Sequence, residues 1–311
     1  MAMHQGQLEL TRQDAQRLID RALAHAGLPA ASHIVPLAGA GTTSHVLRVG
    51  TDLLARFPLT GEDPDQVRAA QATEHAAMEE FARCSPVPAP RPVVIGEGDA
   101  TYPLSFSVQT WVEGEIATPT SVARSGAFAA DLADLISALR AVDLRGRTFS
   151  GAGRGGSLPD HDPWIAECLD RSEGLLPVGE LRTLWRRLRS LPHESADVMS
   201  HTDLIPGNLL VGDQRSTGDQ HLVGVLDTGG FAPADPALDL VAAWHLLDED
   251  ARDVLRVRLE VPELDWRRGA AWAFAQAIGL VWYYERTNPV MSELGRSTLD
   301  RLLAARDELR G

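Results

Sequence analysis

The stretch HTDLIPGNLLV at residues 201–211, followed by LDTG at 226–229, constrains this chain more than any other. Asp203 and Asn208 stand five apart in a loop marked by Pro206 and Gly207, and a short apolar run, 209–211, follows at once. Asp227 closes a second apolar run, 222–226. Two short strands joined by a polar turn over 212–220 predict a hairpin, which would return Asp227 to the side of Asn208. The set is one acid, one amide and a second acid, with no Ser or Cys nucleophile beside a base. Such a set suits phosphoryl transfer, in which the protein positions groups and neutralises charge. Asn208 and Asp227 offer hard oxygen ligands of the kind that suit Mg2+ bridging nucleotide phosphates. Asp203 is placed to orient an acceptor hydroxyl or take its proton. Each residue alone is an ordinary turn former; the ordered set is far more specific.

The D-x-x-x-x-N spacing matches the kinase catalytic loop, and Asp227-Thr228-Gly229 stands where the kinase Asp-Phe-Gly element would. With the segment ADPALDLV further on, these motifs resemble the aminoglycoside phosphotransferase family, which also holds macrolide phosphotransferases and is distantly related to choline and protein kinases. That family's loop usually reads H-G-D-x-x-x-x-N and its metal motif I-D-W; here Thr202 replaces the glycine and Thr228 the aromatic. The resemblance implies an α+β, bilobal, protein-kinase-like fold. A small antiparallel-sheet lobe would cover residues 1–111, and a mostly helical lobe, 112–311, would carry the catalytic loop and acceptor pocket. ATP or GTP, with Mg2+, would lie between the lobes and give its γ-phosphate to a hydroxyl of a small molecule, an aminoglycoside or macrolide antibiotic. A kinase for choline, an amino alcohol or a sugar would share every catalytic residue, and a catalytically silent nucleotide-binding homologue is a further alternative. No G-x-S-x-G or metal-binding His pair supports a hydrolase.

Upstream, residues 33–57 hold short apolar runs separated by glycines, the pattern of an antiparallel meander. Its first turn, AGAGTTS at 38–44, sets Gly39 and Gly41 where backbone N–H groups can approach phosphates, with Thr42, Thr43 and Ser44 as hydroxyl donors. A literal G-x-G-x-x-G at Gly151, Gly153 and Gly156 has no strand before it and no helix directly after, so it reads as a connector. By the resemblance, the third strand should carry a phosphate-clamping lysine. Arg56 stands there and inherits that role with a different geometry. Glu74, on a helix running from Pro64 to about Arg83, would pair with Arg56. Residues 109–115 resemble the inter-lobe hinge, which makes Thr110, Trp111 and Val112 the candidates for holding the nucleotide base. Two helices, 163–174 and 179–191, occupy the place of the family's acceptor-pocket insertions, so Asp162, Glu167, Asp170 and Glu173 are candidates for gripping substrate amines. At the end of a long helix, 265–286, Tyr284 and Glu285 join Trp282 and Tyr283 in an aromatic and acidic cluster that suits a cationic or sugar ligand. Core packing is the simpler expectation for that cluster. Asp235 and Asp239 read as structural, fixing the loop that carries Asp227.

Charge narrows the partners. With 29 basic and 43 acidic residues the net charge is -14, which argues against nucleic acid and would attract a cationic substrate at long range. Acidity also serves plain solubility. No apolar run approaches the roughly 18 residues of a membrane span, and the N-terminus lacks the pattern of a secretory signal. Cys84 and Cys168 read as idle thiols in a reducing cytoplasm.

Overall fold

The computed structural model describes residues 7–37, 43–61, 63–151, 154–213 and 219–310. The chain divides into two compact units, one of residues 1–83, 88–113 and 227–230, the other of the remainder.

In the first unit Thr11 caps helix α1 (Arg12–His25) by accepting the Asp14 N–H at 3.1 Å. Ala15, Leu18, Ile19, Ala22 and Leu23 form its single buried stripe. Strands β1 (Ile34–Pro36), β2 (Ser44–Val49) and β3 (Leu53–Pro58) make the expected meander. After α2 (Pro64–Cys84), the strands β4 (Pro92–Gly96) and β5 (Phe106–Thr110) complete an antiparallel sheet in the order β1-β2-β3-β5-β4. Alternation along β3 sends Ala55 and Phe57 into the core shared with α1 and leaves Arg56 on the opposite face. Phe57 stacks on Phe106 with centroids 4.2 Å apart. Phe106 in turn sets the tip of its ring against Gly96, where a Cβ would fall 2.1 Å from Cζ, so no other residue fits there without moving the stack.

The second unit begins with β6 (Glu115–Ile116), α3 (Pro119–Val122), α4 (Gly126–Arg140), α5 (Asp162–Arg171) and α6 (Val178–Leu188). Strand β7 (Val198–Ser200) leads to the hairpin β8 (Leu209–Gly212) and β9 (His221–Val225), with β6 on the outer edge of β8. Residues 214–218 of the hairpin turn lie outside the described residues. Strand β10 (Ala232–Ala234) pairs with β7, and α7 (Val241–Leu246), α8 (Glu249–Arg258), α9 (Glu263–Tyr283) and α10 (Pro289–Ala304) close the unit. Helix α9 buries residues on every side, as a central helix must. Helix α10 reaches it through Gly295, where a Cβ would fall 2.9 Å from the Ala277 carbonyl oxygen. The aromatic cluster at the end of α9 is not core. Tyr283 is 58% exposed and Glu285 is exposed, because burial along the helix ends at Val281.

Asp235 does not fix the loop of Asp227 either. It is fully buried and accepts from Arg268 Nε at 3.0 Å, Arg268 Nη2 at 2.5 Å, Trp272 Nε1 at 3.0 Å and the Ala237 N–H at 2.9 Å. The acid thus ties the end of β10 to α9. No described helix is long and apolar enough to cross a membrane.

Candidate functional site

The loop between β7 and β8 hangs on a buried acid. Asp239 accepts the Ser200 hydroxyl at 2.8 Å and the His201 N–H at 3.4 Å, and Ser200 Oγ accepts the Thr202 N–H at 2.9 Å. Asp239 therefore fixes the loop of Asp203 rather than that of Asp227. The buried His201 ring meets the Leu226 carbonyl through Nε2 at 2.8 Å and the Asp203 N–H through Nδ1 at 3.3 Å. A carbonyl only accepts, so the ring proton sits on Nε2 and Nδ1 is the acceptor. His201 thus ties Asp203 to the residue preceding Asp227. Asn208 Nδ2 donates to the Asp203 carbonyl at 2.9 Å, and the Asn208 carbonyl accepts the Leu226 N–H at 2.8 Å. With the amide nitrogen committed, the other end of the Asn208 side chain is an oxygen.

Thr202 has φ 68°, in the left-handed region where glycine is at ease. This accounts for the glycine usual in the motif. Asp227 has φ 55°, which a short polar side chain tolerates. One participant was invisible in the motifs: Arg154, from the glycine-rich connector, pairs through Nη1 with Asp203 Oδ1. Gly153 of that connector lies outside the described residues.

In the first unit Arg56 Nη1 donates to Asp227 Oδ1 at 2.8 Å. The expected Arg56–Glu74 ion pair gives way to this one. Glu74 instead packs its stem on Gly229, where a Cβ would come within 3.2 Å of the Glu74 Cβ. Desolvation raises the Glu74 carboxyl above its usual range, with Arg56 opposing and Asp227 reinforcing. One guanidinium faces two carboxylates and bonds one, and the other responds only to its charge. The chain contains no lysine at all, every basic residue being arginine, so position 56 follows usage throughout the protein.

Thr43 and Ser44 lead into β2, with the Thr43 carbonyl accepting the Leu59 N–H at 2.8 Å. Gly39, Gly41 and Thr42 lie outside the described residues. At the expected hinge, the Thr110 N–H is bonded to the Arg91 carbonyl at 2.9 Å and the Trp111 N–H to the Asp52 carbonyl at 2.7 Å. The Arg48 guanidinium covers the Trp111 ring at 3.9 Å. Of these three positions, Val112 has the N–H without a backbone acceptor among the described residues.

A family model described as the phosphotransferase enzyme family matches residues 34–272, a span that holds Arg56, Glu74, Asp203, Asn208 and Asp227. The chain belongs to that family. None of the curated proteins matches it. Among solved structures, the GDP complex of wild-type aminoglycoside 2'-phosphotransferase-IIIa superposes with a TM-score of 0.67 at 20% identity, over 96% of this chain and 100% of that one. Macrolide 2'-phosphotransferase MphH from Brachybacterium faecium, an apoenzyme, gives 0.58 at 19% identity, over 91% and 98%. A gentamicin complex of APH(2")-IIa gives 0.57 at 16%, over 94% and 97%. At these identities the likeness is one of fold, the kinase-like fold of aminoglycoside phosphotransferases.

In this phosphotransferase the helical unit holds a cavity of about 390 Å3 against residues 205–207. Trp164, Leu280, Met291 and Leu294 line it with Arg154 and Gln276. None of the four acids expected to grip amines is among the residues lining this cavity, and three of them are already engaged. Asp162 accepts from Trp185 Nε1 at 2.9 Å and Arg189 Nε at 2.7 Å, Glu167 from Arg171 Nε at 3.0 Å, and Asp170 pairs with Arg182. Tyr284 and Glu285 sit at the end of α9 and are not part of the lining.

Two histidines also line the cavity. Burial pushes the His161 imidazole below its usual range. His245, bonded to Thr298 Oγ1 at 2.9 Å and the Gln276 amide at 3.0 Å, is pushed down to about 4, chiefly by burial. The Gln276 bond opposes that shift and the Arg301 charge adds to it. An unfolded chain takes up this proton near pH 6.5, whereas the folded chain does so only near 4. Between those values the unfolded state binds more protons, so stability falls as pH falls. Denaturant titrations are expected to lose up to about 3 kcal/mol across this window, and His245→Gln to flatten the slope. An unchanged slope in the variant would contradict this assignment.

Proposed function

We propose that the chain transfers the γ-phosphoryl group of ATP or GTP to a hydroxyl of a small molecule, with an aminoglycoside or macrolide antibiotic as the acceptor class. The bonds linking Asp239, His201, Asp203 and Asn208 to Leu226 support this reading most. They hold one carboxylate and one amide oxygen in a fixed loop and connect that loop to the residue before a second carboxylate. In the proposed step the Asp203 carboxylate takes the acceptor's hydroxyl proton as that oxygen bonds to the γ-phosphorus. The bond to the β-phosphate bridging oxygen breaks, and the nucleoside diphosphate departs with that electron pair. Asn208 and Asp227, both hard oxygen donors, suit Mg2+, which when bound supplies charge neutralisation to the phosphates. Thr43 and Ser44, with Gly39, Gly41 and Thr42, would cradle the phosphates, and Glu74 would act on the strand-borne cation through its charge alone. Among residues 110–112, the N–H of Val112 is the group left to meet the nucleotide base.

Arg56 is assigned to the phosphates. Charge-assisted bonds of this kind contribute about 1.5–3 kcal/mol, so Arg56→Ala should raise the nucleotide KM at least about tenfold, and Arg56→Lys should recover part of that loss. A KM unchanged in Arg56→Ala would remove this residue from the site. The function itself is tested by supplying ATP or GTP, Mg2+ and a panel of hydroxylated antibiotics and metabolites, with mass spectrometry of each acceptor. An added phosphate is the expected product. Nucleotide turnover with no phosphorylated acceptor would refute the reading.

A further inference from the structure

We infer that the acceptor is an alcohol with an apolar body and at most one positive charge, seated against Trp164, Leu280, Met291 and Leu294 with its hydroxyl toward Asp203, and that polyamines are excluded. This rests on the phosphotransferase reading and narrows it by the chemistry of one cavity.

Among the described residues the lining holds no carboxylate. The one permanently charged residue among those described there is Arg154, a cation that is itself paired with Asp203. An ammonium group entering apolar surroundings without a counter-charge loses its hydration and gains nothing in return. A polyamine would bring several, beside an arginine that repels them. The protein's net charge of -14 does not alter this locally, since Asp162, Glu167 and Asp170 are bound to Arg189, Arg171 and Arg182.

Apolar contact, by contrast, is ready to be made. Trp164 is 45% exposed although it lines the cavity. Its indole rests on the backbone of α9 at Gly279, where a Cβ would fall 3.0 Å from the ring. A large exposed indole held in place is a surface for an apolar ligand body. Besides His161 and His245, the lining carries a neutral amide: Gln276 touches His245 through one atom, while its Nε2 is buried with no partner among the described residues. Buried donors are normally satisfied, and an ether, carbonyl or hydroxyl oxygen of the ligand would satisfy this one.

The test uses the full chain with Mg2+ and ATP or GTP, and compares kanamycin, a polycation, with a macrolide lactone carrying a single amine and with uncharged alkyl glucosides of increasing chain length. Phosphate transfer is read by mass spectrometry and binding by calorimetry. Within the glucosides, affinity is expected to rise about threefold or more per added methylene. The lactone or glucosides should be phosphorylated and kanamycin should not. Met291→Glu places an acid in the lining at the first turn of α10, where a carboxylate suits the helix terminus, so this variant is expected to fold. It should raise the KM of the apolar acceptor at least tenfold, and Met291→Leu, which keeps the surface apolar, should raise it far less. Efficient phosphorylation of kanamycin with Mg2+-dependent nucleotide turnover, or a Met291→Glu enzyme with unchanged acceptor KM, overturns the inference while leaving the phosphotransferase reading intact. Absence of any nucleotide binding or turnover overturns both.

Discussion

Asp203→Asn is expected to lower kcat about a thousandfold while the enzyme still binds nucleotide. The magnitude is that of a positioned general base, and the amide cannot take the acceptor's proton. The backbone of residue 203 should stay in place, because its anchors are main-chain groups. Its N–H is held by His201 Nδ1 at 3.3 Å, and its carbonyl accepts from Asn208 Nδ2 at 2.9 Å. The loss should therefore appear in turnover and not in folding, as measured by kcat beside a thermal melt. The nucleotide KM should move little, since Arg56 and Asp227 are assigned to the nucleotide end. An Asp203→Asn enzyme within tenfold of wild type would show that another group handles the proton.

Arg268→Met should be the most destabilising single change in the helical unit. It strands the Asp235 carboxylate, which is 0% exposed beside an arginine that is 2% exposed. Breaking a buried ion pair from one side costs about 3–5 kcal/mol, equivalent to a drop on the order of 10 °C in Tm. Removing both partners, as Asp235→Leu with Arg268→Met, should recover only part of this. Trp272 Nε1 and the Ala237 N–H would still lose the acceptor they now share, at about 1–3 kcal/mol for each unsatisfied donor. A calorimetric melt of the two variants checks the ranking. A single variant within about 1 kcal/mol of wild type would mean that water or a relaxed backbone reaches Asp235.

Local patterns made the framework legible in the chain. Thr11 ahead of an apolar stripe marks the start of α1, and alternation about Phe57 assigns the two faces of β3. The D-x-x-x-x-N loop and the hairpin after it identify themselves through residue types that few other structures require in that order. Contacts between side chains distant in sequence were not legible. Arg56 was recognisable as a strand cation, but nothing in the chain decides between Glu74 and Asp227 as its partner. Asp239 was recognised as structural, yet its target is the loop of His201, not that of Asp227. Arg154 lies in a stretch that reads only as a connector, and nothing local to it points to Asp203.

The acids at 162, 167 and 170 show the limit best. A run of carboxylates on a helix reveals its composition and not its partners, and arginines at 171, 182 and 189 neutralise them. Only Glu167 with Arg171, four residues apart on one helix, could have been read as a pair in advance. The cavity lining is drawn from Arg154 and His161 ahead of α5, from α5 itself, residues 205–207, α7, α9 and α10, so no contiguous motif records it.

Phosphoryl transfer by Asp203 can be followed through the 31P resonances of nucleotide, enzyme, Mg2+ and a phosphorylatable alcohol over time, for wild type and Asp203→Asn side by side. Loss of the γ-phosphate signal matched by growth of a phosphate monoester on the alcohol, abolished in the variant, is the expected outcome. Growth of inorganic phosphate alone, or a monoester forming equally fast in the variant, would contradict it.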